Sequence, residues 1–581
     1  MVRFFFKFFR KRFIGVNRRD DIDPDEIFLD SSNLPDFDVF QFEGRLIQPI
    51  SKASVFALGF FFLAIVGIFL WRVGNLQILE GEKWAKKSEN NRLAYTYLFP
   101  ERGIIYDRNK KLLAWNTTDV GVGTSTATTT EFSKREYTPL SGFGHILGYV
   151  KYPQADSSGN YYKTEYTGEA GVEKIYNQQL SGVNGLRIVE RDALLKIQTE
   201  NIVEPPKDGE DLVLSIDERI QSKMYGFIES LVKERGFDGG AGIIMDIQTG
   251  EILSLTNYPE YSSSIMSEGK NRAVISRYNT DSATPYIDRI VSGRYTPGSI
   301  VKPFVALGAL NEGVVTADKK ILSTGKLVLK NPWDPKGPGT IFNDWKAHGW
   351  VNVKEALAVS SDVYFYEVGG GFAPDGQKGI GIENIKKYSE LFGLGKKTGV
   401  DLPSEASGVI PDPEWKKLNF DGAEWNVGDT YHTAIGQYGY QVTPIQMVRG
   451  IAAIAAEGKM VTPHIVLGKE PVVKMITDIK PADYDTVKLG MRQAVLLGTA
   501  KGLNVDYVKV AAKTGTAQIG VSKNNVNAWV VGFFPADKPR YAFTVLMEHG
   551  PATNTVGALF IMRQLFDWMN VYTPEYFKEK I

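Results

Sequence analysis

The longest apolar run of the chain is ASVFALGFFFLAIVGIFLW, residues 53–71, which contains no charged residue and lies between Lys52 and Arg72. As a helix it would rise about 28 Å, roughly the thickness of a hydrocarbon core. A helix that is apolar all round is typical of a membrane span, and a buried core helix is the alternative. The run starts too late for a cleaved signal peptide and lacks a small-residue cleavage site. We therefore expect a transmembrane helix over 53–72.

Basic residues are concentrated before this run, with seven Lys or Arg in MVRFFFKFFRKRFIGVNRR. The positive-inside rule then favours a cytoplasmic tail over residues 1–52 and places everything after residue 72 on the outer side. The Phe-rich basic start is compatible with the inner headgroup region or with a disordered tail.

The pattern changes twice after the span. Residues 73–210 contain short apolar runs broken by turn residues, which predicts an elongated, strand-rich domain with little helix. DLVLSIDERIQSKMYGFIESLVKERGF (211–237) then predicts a strand and an amphipathic helix, and GGAGIIMDIQTGEILSLTNYP (239–259) predicts two strands around a turn. Helices and strands mix as far as residue 575, so we expect a pedestal domain over 73–210 and a mixed domain over 211–575.

Composition narrows the possible functions. A chain of 581 residues is too long for one hydrophobic core. Its net charge is zero and no nucleic-acid-binding motif appears, so we expect no nucleic acid partner. The absence of Cys excludes disulfides and thiolate metal sites.

A Ser-x-x-Lys pair places a hydroxyl and an amine on one helix face. It occurs four times, as Ser230/Lys233, Ser267/Lys270, Ser299/Lys302 and Ser323/Lys326. Pro303 is tolerated only near the first turn of a helix, and Pro297-Gly298 stops a helix from running in, so a helix should begin within a residue of Ser299. Ser299 would lie at the positive end of the helix dipole, and burial would lower the pKa of Lys302. An N-cap serine followed by a snorkelling lysine is the alternative.

Lys-Thr-Gly occurs twice. The copy at 397–399 lies between glycines and a proline and predicts a loop, whereas VKVAAKTGTAQ (508–518) predicts one strand of a hairpin. We expect a central strand that carries Lys513, Thr514 and Thr516 along a groove, with Gly515 allowing a substrate backbone to approach closely. Between the two elements lies Ser360-Ser361-Asp362 in an apolar surround. Ser31-Ser32-Asn33 and Ser522-Lys523-Asn524 also fit a Ser-x-Asn/Asp pattern, but the first lies in the expected cytoplasmic tail and the second follows Lys513.

Ser-x-x-Lys, Ser-x-Asn/Asp and Lys-Thr-Gly, in this order, are the motif set of penicillin-binding proteins and serine β-lactamases. The chain resembles the class B penicillin-binding proteins over nearly its whole extramembrane length, and within them the elongation-specific penicillin-binding protein 2 subfamily. The resemblance is carried by RGIIYDRN (102–109), GEAGVEKIYNQQLSGVNG (168–185), GVDLPSE (399–405), TPIQM (443–447), FNDWKAHGWVNVKEALAVSSDVYFY (342–366) and EWNVGDTYHTAIGQ (424–437). It implies an α+β fold: a transpeptidase domain with an antiparallel sheet flanked by helices and an all-helical subdomain, preceded by the strand-rich pedestal and one transmembrane helix.

The resemblance also implies the roles of the nucleophile and its neighbours. Ser299 would attack the D-Ala-D-Ala carbonyl of a peptidoglycan stem peptide and form an acyl-enzyme, with Lys302 as the base. Ser360 would relay a proton and Asp362 would orient Lys302.

On the strand, Lys513 with Thr514 or Thr516 would hold the terminal carboxylate, beside Gly515. The backbone N–H groups of Ser299 and Thr516 would form the oxyanion hole. No cofactor is implied.

Two departures from the family pattern bear on the site. GQYGYQ (436–441) carries an extra Tyr438 where Gly-Gln-Gly-Tyr is usual. Some elongation-type members bind zinc through two Asp, a His and a Cys. Asp334, Asp344 and His348 correspond here, but Ser361 replaces the Cys, and because a hydroxyl is a poor zinc ligand we expect no metal.

We therefore expect a transpeptidase of cell-wall elongation in the plasma membrane, with its catalytic domain on the outer, or periplasmic, side. A division-type transpeptidase, a D,D-carboxypeptidase or β-lactamase, and an inactive scaffold that activates a glycosyltransferase are the alternatives. The long pedestal argues against the hydrolases, and the complete motif set argues against the scaffold. The implied partners are stem peptides, the lipid-linked precursor product, β-lactams, a partner glycosyltransferase and other elongation-complex proteins.

Overall fold

A computed structural model describes residues 51–117, 132–157, 161–191, 197–331, 334, 336–520 and 522–578. The chain divides into two compact units, with the boundary between Asn91 and Arg92. Residues 1–50, most of the predicted cytoplasmic tail, lie outside the described residues.

The first unit contains the apolar run, which is helical as predicted. The helix spans Lys52–Gly74, a π-helical turn covers Asn75–Leu79, and a further helix spans Gly81–Arg92. The hydroxyl of Ser51 caps the first helix by accepting a hydrogen bond from the Ser54 N–H at 3.1 Å. No residue of this helix is buried by protein, so its apolar side chains need an apolar solvent. Among the described residues it is the single helix with the length and composition to cross a membrane, which makes it a candidate anchor.

The second unit begins with short strands. A three-stranded sheet has the spatial order Leu93–Leu98, Gly185–Arg191, Ile197–Glu204. A four-stranded sheet has the spatial order Leu212–Val213, Ile105–Tyr106, Leu112–Thr117, Lys134–Tyr137. Two shorter pairs join Val150–Lys151 to Thr167–Gly168 and Gln154–Ala155 to Tyr161–Lys163. The helices of this region are short and comprise Gly144–Leu147, Gly171–Ile175 and Asn177–Ser181. Short strands thus predominate between Leu93 and Val213, whereas the helix Gly81–Arg92 lies in a part of 73–210 where the sequence predicted little helix.

Three charged side chains are completely buried among these elements. The Nε atoms of Arg102 and Arg135 donate to the Glu173 carboxylate at 2.6 and 2.8 Å, and all three side chains are fully inaccessible to solvent. Arg102 comes from RGIIYDRN and Glu173 from GEAGVEK, so the triad joins two of the signature segments. Burial by itself would raise the pKa of Glu173, but the charges and hydrogen bonds of Arg135 and Arg102 outweigh it and hold that pKa below its usual range.

The remaining part of the second unit is organised around a five-stranded antiparallel sheet. Its spatial order is Ile252–Tyr258, Gly239–Asp246, Tyr541–Pro551, Asn525–Phe534 and Ala511–Ile519. Glu218–Arg235 and Ala558–Tyr572 pack on one face, where Met224 and Phe566 belong to one buried cluster. Lys302–Asn311 and Pro444–Ala455 belong to a second buried cluster, which includes Phe304, Ile451 and residues of the opposite face of the sheet. The sheet flanked by helices confirms the expected fold.

A mainly helical region joins the two halves of this sheet. Its helices are Ser263–Glu268, Arg272–Thr280, Lys302–Asn311, Val353–Val359, Asp362–Gly370, Gly381–Leu391, Pro413–Asn419, Val427–Ala434, Pro444–Ala455 and Pro481–Leu496. Two ribbons that the sequence did not predict precede the helix at Val353, pairing Ile321–Ser323 with Gly349–Val351 and Lys326–Leu329 with Thr340–Asn343. A third pairs Lys459–Val461 with Val473–Met475.

Candidate active site

Ser299 lies at the start of the helix predicted from the prolines around it. Gly298–Val301 form one 3-10 turn, called the nucleophile turn below, and the α-helix Lys302–Asn311 follows directly with Pro303 in its first turn. The predicted helix start is confirmed, except that the first turn has 3-10 geometry. Ser299 is half-buried, whereas the residues from Ile300 to Leu310 are buried.

A neighbouring loop holds the nucleophile turn through its backbone. The Gly298 N–H donates to the Gly436 carbonyl at 2.9 Å, and Tyr295 and Val442 exchange two hydrogen bonds of 2.9 and 3.0 Å. Tyr438, the extra residue of this loop, has a left-handed backbone with a φ of 60°. The centroid of its ring lies 5.8 Å from the ring centroids of Trp415, Phe420 and Trp425. The loop therefore accommodates the extra residue while it keeps its contact with the nucleophile turn.

Ser360, Ser361 and Asp362 lie where two helices meet. The helix Val353–Val359 ends at Ser360, whose φ of 59° and ψ of 40° are left-handed. Ser361 caps the next helix, Asp362–Gly370, because its hydroxyl accepts a hydrogen bond from the Tyr364 N–H at 3.3 Å. A left-handed backbone is uncommon outside glycine and is frequent at functional sites. This conformation turns both the carbonyl and the hydroxyl of Ser360 towards Lys302.

Two lysines meet at the Ser360 hydroxyl. Lys302 Nζ donates to the Ser360 carbonyl at 2.9 Å, lies 3.3 Å from Ser360 Oγ and forms an ion pair of 2.6 Å with Asp362 Oδ1. Lys513 Nζ lies 2.7 Å from Ser360 Oγ and donates to the Thr514 carbonyl at 2.9 Å. Both lysines are fully buried. Within the described residues, neither lysine hydrogen-bonds to Ser299.

The two lysine amines differ in their electrostatic surroundings. Burial lowers the pKa of Lys513 well below its usual value, and the positive charge of Lys302 lowers it further, while the Asp362 carboxylate acts in the opposite direction. The structure pairs Lys302 with Asp362, as the resemblance implies, and the strongly lowered pKa is that of Lys513, which the sequence did not single out. Sequence reasoning could not foresee the environment of Lys513, because this lysine is buried against Ser360, which lies 153 residues away in the chain.

The Lys-Thr-Gly strand lies at an edge of the five-stranded sheet. Ala511–Ile519 pairs with Asn525–Phe534 on one side and is the last strand on the other, so the expectation of a central strand is wrong. Its apolar pattern reflects helices packed on the sheet, which an edge strand can have as well as a central one. An edge offers free backbone N–H and C=O groups to an extended peptide.

Residues of this strand alternate in direction. Lys513 points to Ser360, while the Thr514 hydroxyl donates to that of Thr499 at 2.6 Å. Gly515 packs directly on the nucleophile turn, since an added Cβ would lie 2.9 Å from Ile300 Cγ2 and from the Pro297 carbonyl. The glycine is thus required by the close approach of the strand to the protein's own turn, and not only by the approach of a substrate.

A cavity of about 460 Å³ brings these elements together. The sequence-predicted residues that line it are Ser299, Ser360, Asp362, Thr514, Gly515 and Thr516. Lys302 and Lys513 do not line it and reach it through Ser360. Trp345 and Thr499 line the cavity as well and were missed, because no motif marks them; for Trp345 the one available signal was a large aromatic residue within the segment FNDWKAHGW.

Asp344, one of the residues considered for a metal, is fully engaged by protein donors. Its Oδ2 accepts hydrogen bonds from the hydroxyls of Ser361 at 2.9 Å and Ser323 at 3.2 Å and from the Val363 N–H at 3.0 Å. His348 Nε2 lies 3.5 Å from Asp344 Oδ1. The described residues contain no group of three or more His, Asp or Glu that could hold a metal. This donor set does not fit zinc, and Asp344 instead ties the Ser360 turn to the ribbon before it.

The comparisons with known proteins agree with this geometry. The family model of the penicillin binding protein transpeptidase domain matches residues 240–566, and that of the penicillin-binding protein dimerisation domain matches residues 124–214. The peptidoglycan D,D-transpeptidase MrdA of Acinetobacter baumannii is 31% identical, and the alignment covers 85% of this chain and 84% of the relative. The MrdA of Escherichia coli K12 is 28% identical, with 89% and 94% covered.

Two solved structures extend the agreement to the fold. The penicillin-binding protein PBP2 of Helicobacter pylori, in complex with MreC, is 26% identical with a TM-score of 0.68 and covers 83% of this chain and 100% of its own. The PBP2 of Pseudomonas aeruginosa, in complex with WCK 5153, is 29% identical with a TM-score of 0.64 and covers 81% and 97%. Since the transpeptidase model matches more than half of the chain and the dimerisation model precedes it, this chain belongs to the class B penicillin-binding proteins.

Proposed function

We propose that this chain is a membrane-anchored peptidoglycan D,D-transpeptidase that cross-links stem peptides through an acyl-enzyme on Ser299 during cell-wall elongation. The strongest support is the hydroxyl of Ser360, which contacts the amines of Lys302 and Lys513 beside the cavity that Ser299 lines. The similarity to the MrdA transpeptidases and to PBP2 supports the elongation role.

In acylation, Ser299 Oγ attacks the carbonyl carbon of the penultimate D-Ala. The new O–C bond forms, the peptide bond to the terminal D-Ala breaks, and the Ser299 proton passes through Lys302 to the leaving amine. The backbone N–H groups of Ser299 and Thr516 stabilise the oxyanion, by roughly 3–4 kcal/mol for each donor. The amine of a neighbouring stem peptide then attacks the ester, its C–N bond forms, the C–O bond breaks, and its proton returns to Ser299.

The two buried lysines give this step a proton relay. Before substrate binds, the charge at Lys302 is balanced by Asp362 and the lowered pKa favours a neutral amine at Lys513. A substrate carboxylate beside Thr514 and Thr516 would favour the charged form of Lys513. Ser360 then gives its proton to Lys513 and takes one from Lys302, which leaves Lys302 neutral and able to accept the proton of Ser299. Substrate binding itself thus creates the base.

The anchor and the partners follow from the same proposal. The basic residues before Lys52 would keep the N-terminus in the cytoplasm, with the catalytic unit on the outer, or periplasmic, side of the plasma membrane. The substrates would be stem peptides on the product of the lipid-linked precursor, supplied by a partner glycosyltransferase of the elongation type. The H. pylori PBP2 was solved with MreC, which supports elongation-complex partners for this chain as well.

Labelling with fluorescent penicillin tests the nucleophile. The wild type should form a covalent adduct and Ser299→Ala should not. Ser230→Ala is a matched control from a second Ser-x-x-Lys pair, since the Ser230 hydroxyl is exposed and bonds to the Gly226 carbonyl. An unlabelled wild type would refute the acyl-enzyme, and a labelled Ser299→Ala would refute this serine. Incubation with a stem peptide and an acceptor amine should give the amide; free acid alone would indicate a hydrolase.

A further inference from the structure

An unusual aromatic side chain shares the cavity with the nucleophile. Trp345 is 57% exposed, yet it lines the same cavity as Ser299 and Asp362. A large aromatic surface in a concave site has a high capacity for binding, because it buries much apolar area and loses little conformational entropy.

The indole of Trp345 is held in place. Its Nε1–H donates to the Val359 carbonyl at 3.2 Å, at the end of the helix that leads to Ser360. The preceding residue, Asp344, accepts the Trp345 N–H at 2.8 Å and is fixed by its own bonds to Ser361. The His348 ring meets the indole edge-on, with centroids 5.0 Å apart. Because the Trp345 indole is already held in one orientation, a ligand can bind to it without first having to order it.

The Lys346 side chain lies next to the Trp345 indole. Lys346 Nζ is 4.7 Å from the centroid of the Trp345 ring and the residue is exposed. Among the residues that the structure describes, its ammonium has no carboxylate partner. Trp345 therefore presents an apolar surface to the cavity, and Lys346 places a positive charge beside the same indole.

Trp345 and the edge strand line one cavity, which indicates what the indole would touch. If the substrate carboxylate lies at Thr514 and Thr516 and its carbonyl at Ser299, the rest of the cavity lining is left for the residues on its N-terminal side. Asp362 and Trp345 line that same cavity. The residue just before D-Ala-D-Ala carries a long aliphatic side chain in a stem peptide, and such a chain suits an indole face.

We propose that Trp345 and Lys346 form a subsite for the residue that precedes D-Ala-D-Ala in the donor stem peptide, with the aliphatic side chain packed on the indole and a carboxylate of the stem paired with Lys346. This inference rests on the proposed function and adds a specificity determinant to it. Trp345 contacts the substrate and does not take part in the bond changes at Ser299.

Two thioester substrates test the indole. The short one is an N-acyl-D-alanine thioester, and the long one carries a diamino acid in place of the simple acyl group. Trp345→Ala should lower kcat/KM for the long substrate by about tenfold, mainly through KM, and for the short one by a much smaller factor. Trp350→Ala is the matched control, because Trp350 is 62% exposed in the strand Gly349–Val351 but lies outside the cavity lining. It should change both values by less than about twofold.

The other outcomes are equally informative. An equal loss for both substrates in Trp345→Ala would overturn the subsite, since the indole would then act through Val359 on the Ser360 turn. If Trp345→Ala lowers the thermal unfolding temperature, Trp345→Phe and Trp345→Leu replace it. The Phe variant should retain the preference for the long substrate and the Leu variant should lose it, and equal values would overturn the proposal.

The cation is tested separately. Lys346→Gln should abolish the preference for a long substrate with a free carboxylate over its carboxamide, and a preserved preference would overturn this part. A wild type that reacts with neither thioester would refute the proposed function. A wild type that reacts with both thioesters at the same kcat/KM would refute the subsite alone.

Discussion

Replacing Glu173 by Gln should strongly destabilise the pedestal. The substitution leaves the guanidinium groups of Arg102 and Arg135 buried without the carboxylate that they share at 2.6 and 2.8 Å. Removing one partner of a buried ion pair costs about 3–5 kcal/mol, because the remaining charge is desolvated and unpaired. Here two charges lose the same partner, so we expect the upper end of this range, which is comparable with the whole stability of a small domain.

The chain offers two comparisons that isolate the charge balance. Arg135→Met leaves the neutral pair of Arg102 and Glu173, and it removes Arg135 Nη2, which has no hydrogen-bond partner among the described residues. It should therefore cost clearly less than Glu173→Gln. Glu169→Gln is the control, since Glu169 lies in the same signature segment and meets the partly exposed Lys151 at 3.5 Å. An exposed pair of this kind contributes about 0–1 kcal/mol.

Hydrogen exchange of the full-length protein in detergent measures the effect locally. Amides of 102–117 and 168–181 should exchange fastest in Glu173→Gln, more slowly in Arg135→Met, and at the wild-type rate in Glu169→Gln. The pKa of Glu173 lies below its usual range, so its stabilisation is present above the unfolded pKa and is lost as pH falls through the folded pKa. Acid should thus lower the protection of these amides in the wild type, measured against their intrinsic exchange rate at each pH, and Glu173→Gln should lack this contribution. An Arg135→Met variant as unstable as Glu173→Gln would refute the charge argument.

Three further predictions concern the active site. Gly515→Ala should slow acylation by about tenfold or more, since the new Cβ must displace the nucleophile turn, and stopped-flow labelling with a β-lactam measures this. The Asp362 carboxylate opposes the lowering of the Lys513 pKa, so Asp362→Asn should lower that pKa further. The acidic limb of the pH profile of acylation should then move to lower pH, and a move to higher pH would contradict the relay. Ser361→Ala removes the 2.9 Å hydrogen bond to Asp344 and a helix cap, and should lower the free energy of unfolding by roughly 1–2 kcal/mol. It should also slow acylation, and wild-type values for thermal unfolding and acylation would refute this role.

Local constraints made part of the site predictable. The position of Pro303 fixes the start of the Ser299 helix because the rule involves only neighbouring residues, and the apolar run after Lys52 predicts its helix for the same reason. Alternating apolar positions likewise predicted the strand that carries Lys513. These predictions needed no knowledge of the tertiary fold.

Contacts between distant elements were not predictable in this way. Lys302 and Lys513 reach Ser360 from 58 and 153 residues away, and only the family resemblance placed the three motifs together. The edge position of the strand depends on sheet order, which its own pattern does not contain. The sequence indicates Asp344 only as a candidate metal ligand, because the Ser323 and Ser361 hydroxyls that donate to its carboxylate come from two other elements.

Lys302 and Lys513 both contact the hydroxyl of Ser360, and this explains why each of the three motifs lies in a rigid element. Both lysine nitrogens contact Ser360 Oγ, at 3.3 and 2.7 Å, so they lie no more than 6.0 Å apart. Two positive charges at this separation repel by about 3 kcal/mol at an effective dielectric constant of about 20. The site therefore disfavours a second proton, and a small displacement of either amine changes where the one proton resides. A helix start, a helix junction and a sheet strand fix these distances, which ties the charge state of the nucleophile's neighbours to the fold itself.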